Sequence, residues 1–189
     1  AELTDWNIYS PVWAPVSLED QWLKLQDKDP FDYAKVERKI PASKELKVSF
    51  DLKAGQNNKG TLQIEFLDEN GIACSRMELT DDGIFRLKGG SRFANMMKYE
   101  AGKIYHVEAV LSTVDRNIQV YVDGKRVGLR MFYAPVATVE RIVFRTGVPR
   151  TFPTVDTPAD QTYDLPNAGA QDPLAEYGIA NVKTSSADK

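Results

Sequence analysis

Between Ile104 and Val127 the chain reads IYHVEAVLSTVDRNIQVYVDGKRV, and two runs within it alternate in hydrophobicity with a period of two. Successive side chains of a β-strand point to opposite faces, so that period belongs to a strand with one buried face. In the first run Tyr105, Val107, Ala109 and Leu111 share a side. In the second Ile118, Val120 and Val122 share one, with Gln119, Tyr121 and Asp123 opposite. Asp123-Gly124 then supplies the positive φ angles of a type I′ turn. The block is expected to fold as an antiparallel hairpin.

The same signature recurs along the chain. Leu46, Val48, Phe50 and Leu52 alternate with Lys47, Ser49, Asp51 and Lys53. GQNNKG (55–60) is a turn by composition, and Leu62, Ile64 and Phe66 then alternate with Gln63 and Glu65. Asn70-Gly71 makes the next tight turn. Met77 to Leu79 and Ile84 to Leu87 flank Asp81-Asp82-Gly83, and Ile142 and Phe144 alternate with Arg141, Val143 and Arg145. Trp22 to Leu25 and Tyr33 to Ile40 add two shorter runs. No helical stripe exceeds two turns, and no internal repeat is evident. Strands separated by turn chemistry at this spacing predict an all-β fold, a two-sheet antiparallel β-sandwich.

Two stretches break the rhythm. Residues 1–21 carry Trp6, Tyr9 and Trp13 among prolines and are expected to wrap the sandwich edge. Residues 148–176 contain Pro149, Pro153, Pro158, Pro166 and Pro173. So long a stretch without strand periodicity is expected to be a functional loop or a flexible segment. Phe152, Val155, Tyr163, Leu165 and Leu174 would anchor it on the sandwich, because prolines lower the entropy lost on ordering it. A closing strand is expected from Tyr177 to Thr184, which makes 1–189 a single domain.

Composition narrows the classes of function. The 189 residues carry 24 basic and 27 acidic side chains with no long run of either sign. Nucleic-acid binding calls for a basic patch, and the sequence offers none. No apolar run approaches the ~20 residues that span a bilayer. The chain opens AELTDW and shows no charged-then-apolar targeting segment, as expected of a processed chain or a piece of a larger one. Cys74 stands alone, which precludes an intramolecular disulfide and a multi-cysteine zinc site. A buried structural thiol is the expectation for it.

The run ending in VYVDGKRV (120–127) resembles the "vyvDGk.v" strand of laminin-G-like and concanavalin A-like jelly rolls. YGIANVKT (177–184) resembles their closing strand, and WLKLQDKDPFDYAKVERKIP (22–41) with LKVSFDLKAGQNNKGTLQIEFLDENG (46–71) resembles the accessory β-sandwich of secreted bacterial polysaccharide-degrading enzymes. The resemblance implies a concanavalin A-like jelly roll. It also implies glycan binding or support of a catalytic domain, and a secreted, periplasmic or cell-surface location. Fold alone does not choose among these roles.

Enzymatic alternatives rest on short motifs. Laminarinase-type relatives gather carboxylates in a Glu-x-Asp-x-x-Glu run on one strand face. Here Glu65, Asp68 and Glu69 have the wrong spacing, and Glu69-Asn70-Gly71 reads as a turn. Alginate-lyase jelly rolls carry an Arg-x-Glu-Leu run, matched literally by Arg76-Met77-Glu78-Leu79, but their Gln-x-His run is missing. His106, the only histidine, would have to supply any imidazole chemistry, and a strand histidine without a catalytic role is expected. Asp27, Asp29 and Asp32 could gather oxygens around a structural calcium, although an aspartate-rich loop is more often a solvated turn. No other cofactor is expected.

A sugar site needs aromatic faces for pyranose rings and planar polar groups for hydroxyls. Trp6, Trp13, Phe93, Phe132, Tyr133 and Tyr163 lie near breaks in periodicity, with Arg130, Arg145 and Arg150 near some of them. Arginine receives a carboxylate bidentately, so an acidic glycan would suit these positions. Trp13, Tyr133, Tyr163, Arg130, Arg145 and Arg150 are therefore the expected carbohydrate-binding residues. The expected function is a non-catalytic glycan-binding or structural accessory module. The alternatives are a polysaccharide lyase or glycoside hydrolase acting on an anionic glycan, and a purely architectural domain that packs against a catalytic one.

Overall fold

The structure, a computed structural model, describes residues 3–147 and 170–187. After a 3₁₀ turn at Leu3–Asp5 it consists of strands β1 (Asn7–Tyr9), β2 (Val16–Glu19), β3 (Trp22–Asp27), β4 (Lys35–Ser43), β5 (Glu45–Ala54), β6 (Leu62–Leu67) and β7 (Ala73–Leu79). These continue as β8 (Ile84–Gly89), β9 (Arg92–Lys98), β10 (Ile104–Ser112), β11 (Asn117–Val122), β12 (Lys125–Met131), β13 (Val139–Thr146) and β14 (Ala175–Ser186). The first sheet runs β1-β4-β13-β6-β7-β8-β9 and the second β12-β11-β10-β5-β14-β3-β2. All of the pairings are antiparallel. The described residues form a β-sandwich of two seven-stranded sheets.

The core forms where the predicted apolar faces meet. Leu46, Val48, Phe50 and Leu52 of β5 are buried, as are Leu62, Ile64 and Phe66 of β6 and Val107, Ala109 and Leu111 of β10. Phe50 from the second sheet meets Phe144 from the first edge-on, with ring centroids 5.1 Å apart. This geometry adds ~1 kcal/mol beyond area burial, so the pair fastens the two layers at their centre. Cys74 is fully buried, and burial pushes its thiol up to about 12. It is a structural thiol that stays protonated.

The hairpin at Asp123-Gly124 forms as the sequence requires, with φ of 49° and 79° and Val122 paired with Lys125. Elsewhere the boundaries shift. Residues 1–21 add one edge strand to each sheet, β1 beside β4 and β2 beside β3, so this segment closes both sheets by backbone pairing. The closing strand is longer than the predicted 177–184. It starts at Ala175, inside the proline-rich stretch, and lies between β5 and β3. Gly60 makes that seat possible: a Cβ there would come 2.3 Å from the Cβ of Ala175, and its φ is +70°. The expected packing of residues 148–169, with Phe152, Val155, Tyr163 and Leu165, lies outside the described residues. Strand β9 escaped the periodicity because it is an edge strand with no fully buried residue.

Candidate functional site

Side chains directly opposite in an antiparallel pair share a face. On the side of the first sheet away from the core, two rows cross the strands. One runs Lys35, Arg145, Gln63, Glu78, Arg86 and Asn95. The next runs Glu37, Val143, Glu65 and Arg76. The inward neighbours Phe144, Ile64, Met77 and Leu87 are buried in the core, which fixes the direction of the polar residues between them.

This outer face carries an ordered polar layer, much of it shielded from water. Gln63 is fully buried, and Glu65 and Glu78 are 8% and 5% exposed. Burying carboxylates is costly unless they are paired and hydrogen-bonded, and both are. Glu65 Oε1 accepts from Arg76 Nε at 2.7 Å and lies 2.6 Å from its Nη2. Glu78 accepts from Gln63 Nε2 through one oxygen and pairs with Arg86 through the other.

The guanidinium groups of this face also rest on aromatic rings. Arg86 lies 4.2 Å from the centroid of Phe93, Arg145 5.1 Å from that of Tyr33 and Arg76 5.8 Å from that of Tyr133. Lys88 Nζ is 4.5 Å from the Tyr133 ring. Tyr133 is tied down by its backbone N–H, which donates to the Cys74 carbonyl at 3.0 Å. Burial pushes its phenol up to about 12, so the hydroxyl is neutral near pH 7. Guanidinium held between carboxylate and ring is oriented before any ligand arrives.

Of the six predicted sugar-binding residues, the fold brings Arg145 and Tyr133 to this one face. Arg130 is exposed on the edge strand β12, its side chain laid across Gly89 of the neighbouring sheet. Trp13 sits in the turn between β1 and β2, where its carbonyl accepts from the Lys28 N–H at 3.0 Å. Arg150 and Tyr163 lie outside the described residues. Gln63, Glu65, Arg76 and Arg86 were not among the predicted sugar contacts. Their signal was the large polar residues alternating with Leu62, Ile64 and Phe66, which periodicity alone assigns to solvent.

Arg76 and Glu78 share the outer face, but His106 is on β10 in the other sheet, exposed, with Nδ1 2.8 Å from Asp51 Oδ1. Asn181 Nδ2 donates to the second Asp51 oxygen at 2.7 Å. Although desolvation opposes it, these partners hold the Asp51 carboxyl below its ordinary value. Asp68 caps the predicted turn, accepting from the N–H groups of Asn70 and Ile72. In the aspartate loop, Asp27 accepts from the Asp29 N–H, Asp29 from those of Phe31 and Asp32, and Asp32 from that of Tyr33 and the Tyr9 hydroxyl. These aspartates border a cavity of about 580 Å³ at one end of the sandwich. Among the described residues, no three His, Cys, Asp or Glu side chains are grouped to hold a metal ion.

The family described as "Sialidase-like, CBM domain" matches residues 6–161. The chain belongs to that family. A solved structure named "Sialidase" is 88% identical with a TM-score of 0.92, over 99% of this chain and 17% of that one. The chain therefore spans about a sixth of that protein. An alginate lyase of polysaccharide lyase family 7 is similar in fold at 12% identity and TM-score 0.59, over 98% of this chain and 96% of that one. The Emp47p carbohydrate recognition domain is similar at 9% identity and TM-score 0.62, over 96% and 88%. No curated protein matches. No helix among the described residues is long and apolar enough to cross a membrane. Family and fold agree on a jelly-roll β-sandwich of the sialidase-like CBM domain family.

Proposed function

We propose that the chain is a non-catalytic glycan-binding module of a larger, secreted carbohydrate-active protein, and that it receives a carboxylate-bearing sugar on the outer face of the first sheet. The observation that carries this reading is the set of three guanidinium groups, Arg76, Arg86 and Arg145, each 4.2 to 5.8 Å from the centroid of an aromatic ring. In the row through Arg145, Arg86 is held by Glu78 and Lys35 by Glu37, so these cations are fixed in place. Planar guanidinium matches carboxylate geometry, and the rings of Tyr133 and Tyr33 offer apolar surface to a pyranose. The 88% identical chain is called a sialidase, and sialic acid is a sugar of this class. Binding without turnover fits the local chemistry, because Glu65 and Glu78 are tied to arginines and the sole histidine is on the other sheet.

Titrating the chain with 3′-sialyllactose while following backbone amide resonances tests this. Saturable shifts are expected in β6, β7, β8 and β13, at least tenfold weaker in Arg145→Ala and reduced in Tyr133→Ala. Arg150→Ala and Tyr163→Ala, made in parallel, decide whether the proline-rich stretch contributes contacts. Shifts confined to the sheet edges or to the second sheet would overturn the assignment.

A further inference from the structure

On the opposite layer, β2, β3, β14 and β5 frame a cavity of about 230 Å³ on the outer face of the second sheet. One cross-strand row passes through it: Ser17, Lys24, Gly178, Lys53 and Ile104. Gly178 leaves this row without a side chain between two lysines. The six-membered ring of the Trp22 indole leans over the gap, so that a Cβ at Gly178 would come 3.0 Å from its Cε3. Trp22 is half-buried and lines the cavity, so part of the ring remains open to it. Lys24 Nζ lies 3.2 Å from Glu19 Oε2 and 3.3 Å from Glu176 Oε2, and Gln26 Nε2 donates to the same Glu176 oxygen at 2.8 Å. An indole thus stands beside a glycine floor, inside a ring of carboxylate and ammonium groups.

We propose that this cavity is a second carbohydrate site, which takes a single neutral hexopyranose against Trp22. The C–H face of a pyranose is apolar and seats on an indole, while its hydroxyls both donate and accept. Glu19 and Glu176 accept, and Lys24 and Lys53 donate, so both roles are met around one ring. The charge arrangement selects against an acidic sugar. Lys24 is already shared by two carboxylates, and an anionic ligand would meet Glu19 and Glu176 at close range, where like charges repel. Pockets for drug-sized ligands measure about 300–1,000 Å³, so a cavity of about 230 Å³ suits one ring and not an extended chain. The arginine face and this cavity lie on opposite layers and differ in charge, which would let one module contact an acidic sugar and a neutral one at once.

The site stands on its own geometry and does not depend on the arginine face. Methyl β-D-galactopyranoside titrated into the ¹⁵N-labelled chain is expected to shift the Trp22 indole N–H and the Gly178 and Lys53 amides saturably, with affinity in the millimolar range. Trp22→Ala should weaken this at least tenfold. Gly178→Val fills the floor and displaces the indole, and it should abolish the shifts while circular dichroism reports the sandwich intact. Arg145→Ala should leave them unchanged, which separates failure here from failure at the first sheet. No saturable shift at Trp22 in the wild-type chain, or shifts that persist in Gly178→Val, would overturn the proposal.

Discussion

Removing the Glu78 carboxylate should weaken the protein as well as its binding face. Glu78 is 5% exposed and satisfies two partners, the fully buried Gln63 amide and the Arg86 guanidinium. In Glu78→Ala the Gln63 amide loses its acceptor in a dry setting, which costs about 1–3 kcal/mol. Stranding a fully buried charge costs about 3–5 kcal/mol. The Arg86 side chain is 35% exposed, so water recovers much of that and about 1 kcal/mol remains. The total is about 2–4 kcal/mol. For a chain of this size each kcal/mol lowers Tm by about 2–4 °C, so a fall of about 5–15 °C is expected. Glu78→Gln keeps an acceptor for Gln63 and should lose about half as much. Calorimetry on the three proteins, with urea unfolding as a check, measures both. A fall below about 2 °C for Glu78→Ala, or equal falls for the two variants, would show that the buried carboxylate does not organise this face.

Burial holds Tyr99 and Tyr133 at about 12 and Tyr177 higher still, so all three are neutral in the folded state. Their pKa values are raised, so the stability they confer is complete below about pH 10 and is lost as pH rises through 12. Absorbance at 295 nm should show three of the eight tyrosines ionising late, together with unfolding; eight ionising together near pH 10 would refute this. No reducing ends or unsaturated products are expected from neutral or uronic-acid polysaccharides. Turnover abolished by His106→Ala or Glu78→Gln would establish an enzyme instead. Calcium is expected to leave Tm unchanged, because Asp27, Asp29 and Asp32 already accept from backbone N–H groups; a rise of several degrees with millimolar calcium would reveal a cation site.

The core was legible because burial writes itself into alternation: Leu46 to Leu52, Leu62 to Phe66 and Tyr105 to Leu111 each show their inner face in the sequence. The Asp123-Gly124 turn was legible because few residues adopt its backbone angles. Edge strands were less so, since β1, β2 and β9 bury little and carry no clean period. The candidate site was half legible. Arg145 and Tyr133 stood out by residue type, but Gln63 and Glu65 looked like solvent-facing positions. Only the sheet order, which places β6 between β13 and β7, shows that these polar side chains meet arginines across the strands. Trp22 was hidden in the same way, inside an apolar run, because the glycine that makes room for it is 156 residues away in sequence.

The arginine-lined face is proposed to recognise a carboxylate sugar, and isothermal titration of the chain with 3′-sialyllactose, set against lactose, decides it. Saturable binding of the sialylated trisaccharide is predicted, at least tenfold tighter than any heat from lactose, weakened by added salt and lost in Arg145→Ala. Equal affinity for the two sugars, or sialyllactose binding that survives Arg145→Ala unchanged, would contradict it.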